Sequence, residues 1–120
     1  MTPTRQEQAR ALLERKAARM ASAILGRRAV SAADFAAALT VERIDVVAEI
    51  RHPDALLALG RNVPGPRDGL YVLRDGANRY RVYLQERGIP HYEGRELDFD
   101  QARAAVIDRI VMLNGIPFEL

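Results

Sequence analysis

The chain has 120 residues, a formal net charge of +2 and no cysteine. That length accommodates one domain with a core of its own, and the lack of cysteine excludes both a disulfide framework and a thiolate zinc site. Because no apolar run is long enough to span a membrane and no signal-peptide pattern opens the chain, we expect a soluble, cytoplasmic protein with no membrane partner.

The first 30 residues predict one long helix. The run Thr4-Arg5-Gln6-Glu7 has the capping-box pattern, so we expect the helix to begin near Arg5 and to end around Gly26. Its apolar residues recur every three or four positions and form a narrow stripe: Ala9, Leu13, Ala17, Met20 and Ile24. Such a stripe suits packing against one neighbouring helix, or against a second copy in a homodimer.

Two further helices are predicted before residue 51. Ser31 is a good N-cap for the first of them, with Phe35 and Leu39 pointing inward. Residues 41–50 have helical spacing, although Val46-Val47 would also suit a strand. Because no turn residue interrupts this run, we interpret it as a helix.

A short helix over 55–59 follows, with Pro53 at a first-turn position and Gly60 at its end. Residues 61–68 contain two prolines and a glycine between them, a composition typical of a linker. The single domain, 1–120, is therefore expected to consist of a helical half (1–60), a linker and a second half (69–120).

The second half begins with two predicted strands, 70–73 and 79–85, around a turn at 75–78 whose Gly and Asn tolerate positive φ. The second strand alternates strictly. Tyr80, Val82 and Leu84 share a face suited to a core, and the opposite face is suited to water or a partner. That opposite face carries Arg79, Arg81, Tyr83 and Gln85.

A third strand and a last helix complete the pattern. Arg87-Gly88 predicts a second turn, and Pro90 places the strand over 89–97 at an edge, with a bulge or bend at Gly94. Asp98 with Gln101 forms another capping-box pattern, and the helix runs to Leu113 before the stop signals Asn114-Gly115 and Pro117. Phe118 and Leu120 are expected to fold back as an apolar tail. The fold class is thus α+β: a helical N-terminal half, then a three-stranded antiparallel meander packed by a C-terminal helix.

Catalytic patterns are sparse. Each histidine has one carboxylate nearby, His52 with Asp54 and His91 with Glu93, which is too few ligands to predict a metal site or a cofactor. Glu86 and His91 could approach across the second turn and act as an acid–base pair in a small ribonuclease. A solvated hairpin end explains them more simply, so we expect no enzyme.

Nucleic-acid binding is the main alternative. The first 30 residues contain seven Lys/Arg and two Asp/Glu, whereas residues 31–60 contain two and five. Residues 31–50 resemble a bacterial helix-turn-helix: Ala36 fits the small position and Thr40 stands where glycine is usual. Phosphates would repel the acidic second helix, which carries Glu42, Asp45 and Glu49. In the simpler interpretation, the first helix is solvated and its arginines pair with the next helix.

The layout of the second half is Tyr71, then Tyr80-x-Val82-Tyr83-x-Gln85-Glu86-Arg87-Gly88, Phe99 and a capped helix ending Asn114-Gly115-Ile116-Pro117. It resembles the small immunity proteins of bacterial polymorphic toxin systems. The resemblance implies a cytoplasmic, non-catalytic protein that binds and blocks a cognate toxin. Immunity proteins against nucleases are usually acidic, which this chain is not. We expect the partner to contact Arg79, Arg81, Tyr83, Glu86, Arg87 and Tyr92.

Overall fold

The computed structural model describes residues 2–116 and residue 120. Within them the helices are α1 (Arg5–Leu13), α2 (Ala17–Leu25), α3 (Ala32–Ala38), α4 (Arg43–Glu49), α5 (Pro53–Leu57) and α6 (Phe99–Leu113). The strands are β1 (Gly69–Gly76), β2 (Arg79–Glu86) and β3 (Ile89–Leu97). The predicted α+β class is confirmed. The chain forms two compact units, Met1–Glu49 with Ile110–Leu120, and Ile50–Arg109.

The predicted long first helix is wrong, because the chain breaks between α1 and α2. Arg15 adopts a left-handed φ of 60°, and the Lys16 N–H donates to the Ala11 carbonyl at 2.7 Å while the Arg15 N–H donates to Leu12. These bonds define a Schellman motif, which usually carries glycine at the left-handed position. Since arginine occupies that position, no glycine marks the break in the sequence.

A buried asparagine joins the two helix ends at this break. The Asn114 amide nitrogen donates to the Leu12 carbonyl at 2.9 Å, and its oxygen accepts from the Ala17 N–H at 3.3 Å. The same nitrogen also reaches the Ile110 carbonyl of α6. Helix ends leave such groups without partners inside the helix, so one side chain satisfies the end of α1 and the start of α2.

A second buried amide organises the passage from α3 to α4. The Gln8 oxygen accepts from the Thr40 and Val41 N–H groups at 2.8 and 2.9 Å. Its nitrogen donates to the Pro3 carbonyl and to the Thr40 hydroxyl. Both the oxygen and the nitrogen of the buried Gln8 amide therefore have hydrogen-bond partners.

Ion pairs connect α1 to α4. Arg5 contacts Glu42 and Asp45 at 3.0 and 2.8 Å, and Arg10 contacts Glu49 at 2.8 Å. The expected pairing with the next helix is thus corrected: Arg5 and Arg10 pair with α4 and with Glu42 just before it. These carboxylates are paired with arginines, so this surface does not carry negative charge alone.

The sheet of the second unit has the order β1-β2-β3, antiparallel throughout. The bulge predicted at Gly94 is confirmed, since the register shifts beside its pairing with Val82. On one face α6 packs against β2, where Phe99 meets Tyr80 edge-on at 6.2 Å between ring centroids. The predicted cap of this helix is also present, with reciprocal bonds between Asp98 and Gln101.

Some expectations concern the end of the chain. Gly115 has the predicted left-handed φ, 71°, whereas Pro117 and Phe118 lie outside the described residues. Leu120 is half-buried. No helix in the described part of the chain is both long and apolar enough to cross a bilayer.

Substitution of Arg15 tests the break between α1 and α2. A left-handed φ costs a residue with a Cβ about 1–2 kcal/mol, and glycine's greater freedom in the unfolded chain offsets about 0.5–1 kcal/mol of that. We expect Arg15→Gly to raise the free energy of unfolding by about 0.5–1 kcal/mol in urea titrations. Arg15→Ala, which removes the side chain but keeps the Cβ, should give no such gain; an equal gain would contradict the assignment.

Asp34 gives this unit a specific acid sensitivity. Its carboxylate accepts from Arg27 at 2.7 Å and from the Val30 and Ser31 N–H groups, and these bonds, the Arg27 contact first, hold the pKa of Asp34 well below its usual range. The resulting stabilisation is present above the unfolded-state pKa of about 4 and is lost as the pH falls further.

We therefore expect Asp34→Asn to lower stability at pH 7, and the difference from the parent to narrow below about pH 4. Urea titrations across that range provide the measurement. Ser31→Ala removes the neighbouring cap without removing a titratable group, so its deficit should persist at acid pH. A deficit of Asp34→Asn that stays constant to pH 2 would refute the assignment.

Candidate binding surface on the sheet

The sheet face opposite α6 carries one tyrosine on each strand. The register places Tyr71 opposite Tyr83 and Tyr83 opposite Tyr92. The first two rings stack with centroids 4.8 Å apart and planes at 9°, and the next two lie 5.0 Å apart at 48°. We call these three residues the tyrosine ladder. The Arg95 guanidinium lies 4.1 Å from the Tyr92 ring centroid, within cation–π range.

Residues 61–68, predicted as a linker, lie inside the second unit and are bonded to this face. The single Tyr71 hydroxyl proton lies between the Gly65 and Arg67 carbonyls, at 3.1 and 2.5 Å from the hydroxyl oxygen, and the shorter bond is to Arg67. The Gln85 amide donates to the same two carbonyls, each at 3.1 Å. We call this segment the strap. It supplies the acceptors that the buried Tyr71 and Gln85 side chains need.

Both ends of the strap are also bonded to the sheet. The Arg61 N–H donates to the Leu70 carbonyl at 2.8 Å, and the Arg61 carbonyl accepts from Val72 at 2.9 Å. The Asp68 carboxylate accepts from the Arg87 and Gly88 N–H groups at 2.8 and 3.0 Å. The strap is therefore attached at both ends as well as in the middle.

The tyrosine ladder runs from the interior to the surface. Tyr71 is 1% exposed, Tyr83 5% and Tyr92 36%. Burial raises the pKa of Tyr83, and the neighbouring Tyr92 and Tyr71 act in the same direction. Only the outer end of the ladder, on the edge strand β3, is accessible to another molecule.

The strap and the neighbouring strands leave some of the six predicted contact residues exposed and bury others. Tyr83 lies in the interior, because strands and strap surround it on a face we expected to be open. Arg81 is half-buried and forms an ion pair with Asp75 at 2.7 Å, which raises the pKa of Arg81. The residues that reach the surface are Arg79, Glu86, Arg87 and Tyr92. Their contact with a partner stays a prediction.

The turn between β2 and β3 holds Arg87 in an unusual backbone conformation. Arg87 has φ 53° and Gly88 has φ 77°, the signs that a two-residue type I′ turn requires at both positions. Glycine or asparagine is preferred at the first position, so arginine there is strained. The bonds from Asp68 to the turn amides stabilise this conformation.

The proposed acid–base pair lies beside this turn. Glu86 pairs with Ile89 and His91 with Leu84, which places both side chains on one sheet face as diagonal neighbours. Among the described residues no hydrogen bond joins them, and both are exposed. The described residues also contain no group of three or more potential metal-binding side chains. A role in RNA cleavage stays a hypothesis.

The segment that resembles a helix-turn-helix forms α3 and α4. Three acidic residues, Glu42 just before α4 and Asp45 and Glu49 within it, contact arginines of α1. The face of α4 that carries Asp45 and Glu49 is therefore turned toward α1. Nucleic-acid binding by this segment stays untested.

Comparisons with protein-family models, with curated proteins and with solved structures find no match for this chain. Its function is therefore inferred from the geometry of the molecule.

Several residues of this surface were not predicted. Gln85 was assigned to the open face, Asp68 to a linker, and Arg95 to no role. The alternation of β2 placed Gln85 correctly on the ladder face, but no local pattern indicates that a Pro/Gly-rich segment covers it. Asp68 two residues after Pro66 was the available signal, since aspartate commonly accepts from turn amides.

A matched pair of hydroxyl deletions tests how the strap is held. Tyr71→Phe removes both of its bonds to the strap, so we expect a loss of about 1–2 kcal/mol in the free energy of unfolding and faster trypsin cleavage after Arg67. Tyr80→Phe is the control, because the buried Tyr80 hydroxyl has no hydrogen-bond partner among the described residues.

For Tyr80→Phe we expect stability unchanged or higher by about 1 kcal/mol. Equal losses for the two variants would mean that the strap bonds contribute nothing specific.

Proposed function

We propose that this chain is a non-catalytic protein-binding module, an immunity-type inhibitor that binds a cognate toxin one-to-one in the cytoplasm. The observation that carries the proposal is the open outer end of the tyrosine ladder. There the Tyr92 ring contacts the Tyr83 ring on the inner side and the Arg95 guanidinium on the outer side. Tyrosine and arginine dominate the energetics of protein interfaces.

Preorganisation supports the same proposal. The Tyr92 ring already contacts Tyr83 and Arg95 before any partner arrives, so less side-chain entropy remains to be lost on binding. Ile89, 60% exposed, adds apolar area on the same edge strand, on the face opposite Tyr92. Because β3 is the edge of the sheet, a partner can approach it without displacing any other strand.

The strain at Arg87 points to a role for its side chain. Only the Arg87 backbone has bonds in the described residues, to Asp68, and glycine would form them without strain. Backbone strain that a smaller residue would relieve is concentrated at functional sites in proteins. We infer that the Arg87 guanidinium contacts the partner.

The charge of the chain bears on the kind of target. A net charge of +2 provides no general attraction to the basic surface of a nuclease. We therefore propose a toxin of another activity as the target.

Three variants and a control test this surface. The native chain, immobilised in extract of its host, should retain one partner in a one-to-one complex, with the product of a neighbouring toxin gene as the expected protein. Tyr92→Ala and Arg87→Gly should each weaken that complex by about tenfold or more, measured by titration calorimetry. Ile89→Ser should weaken it less.

Val30→Ser is the control, because Val30 is an exposed apolar residue of the other unit. Its complex should match the parent's, and Arg87→Gly should be at least as stable as the parent. Recovery of no partner, or undiminished binding by Tyr92→Ala and Arg87→Gly, would exclude this surface. Tight binding to DNA or RNA that falls steeply with salt would favour the nucleic-acid alternative instead.

A further inference from the structure

The strap lines an open surface cavity of about 370 Å³ that the partner-binding proposal does not use. Two arginines, Arg61 and Arg67, line it together with the Asn62 and Tyr71 side chains. None of its lining residues is acidic. The volume lies at the lower end of the range for small-molecule sites.

Hydrogen bonds hold both the backbone and the side chain of Arg61. Its backbone bonds to Leu70 and Val72 on β1, and its side-chain Nε donates to the Asp68 carbonyl at 3.3 Å. Gly69 beside it has φ 136°, a conformation that favours glycine. The two terminal nitrogens of the guanidinium remain available as donors.

Arg67 is fixed through its backbone. Its carbonyl accepts from both Tyr71 and Gln85, whereas its side chain forms no ion pair in the described part of the chain. The nearest acidic residue in sequence, Asp68, uses both carboxylate oxygens on the turn amides of Arg87 and Gly88. Neither Arg61 nor Arg67 forms an ion pair in the described residues, and the negative charge of the neighbouring Asp68 offsets only part of their combined positive charge.

We propose that this cavity binds a phosphate dianion. Two positive charges at one cavity match the charge of a phosphate or phosphate monoester better than that of a single carboxylate, and guanidinium forks bind phosphate oxygens in pairs. The Asn62 amide and the Tyr71 ring complete the lining. The site stands independently of the protein-binding proposal, because it uses none of the residues assigned to the partner.

The test is a titration of the full chain with inorganic phosphate, adenosine monophosphate and acetate, followed by ¹H–¹⁵N NMR at pH 7.5 and constant ionic strength. We expect saturable binding of both phosphates, with shifts confined to the amides of residues 60–71 and the Arg61 Nε–H. Acetate should bind at least tenfold more weakly. Tighter binding of adenosine monophosphate than of inorganic phosphate would identify a monoester as the ligand, and equal affinity would identify free phosphate.

Arg61→Gln and Arg67→Gln should each lower the affinity about tenfold. Arg79→Gln is the matched control, since it removes the same charge from an exposed position in the same unit, outside the cavity, and should bind like the parent. Arg61→Lys keeps the charge but not the fork, so it should bind with intermediate affinity, and it serves if Arg61→Gln does not fold.

Lowering the pH below the second pKa of a phosphate monoester, about 6, should also weaken adenosine monophosphate binding. Three results would overturn the proposal: no saturable binding, shifts spread over all exposed arginines, or an equal loss in Arg79→Gln. Acetate binding as tightly as phosphate would overturn the assignment of a dianion.

Discussion

The fold depends on buried amide side chains that satisfy irregular backbone. Gln8, Gln85 and Asn114 are each less than 10% exposed. Each bonds to main-chain groups that no helix or strand pairs: the passage into α4, the strap, and the break between α1 and α2. A buried main-chain group without a partner costs as much as a lost hydrogen bond. Replacing these amides by apolar residues would leave buried main-chain groups without partners and destabilise the observed paths of the three segments.

The sheet shows what this constraint does to a surface. The central strand β2 is buried on both faces, by Tyr80, Val82 and Leu84 on one side and by Tyr83 and Gln85 on the other. A small sheet seldom has enough chain to cover both faces with helices. Here the strap covers the second face, and its carbonyls turn inward to Tyr71 and Gln85. The covering of this face ends at β3. The tyrosine ladder therefore contributes to the core at one end and to the surface at the other.

Local patterns predicted the regular elements well. The capping boxes at Thr4, Ser31 and Asp98 and the two hairpin turns all occur where the sequence places them, because each depends on side chains only a few residues apart. The break at Arg15 was missed because it depends on Asn114, 97 residues from Ala17. Likewise, the alternation of β2 was read correctly, but the cover on its outer face comes from a segment with the composition of a linker.

The candidate surface was therefore predicted only in part. The exposed residues are the ones that the strap and the neighbouring strands do not cover. Tyr92 and Arg87 reach solvent, whereas Tyr83 supports the ladder from within. Tyr83 packs inside the sheet and Gln85 bonds to the strap, so removing either side chain would disturb the fold and the surface together. Tyr92 lies tilted against Tyr83 at the rim, and the Arg87 side chain has no bond in the described residues. The proposed binding through these two side chains would thus be separable from folding, because both side chains are exposed.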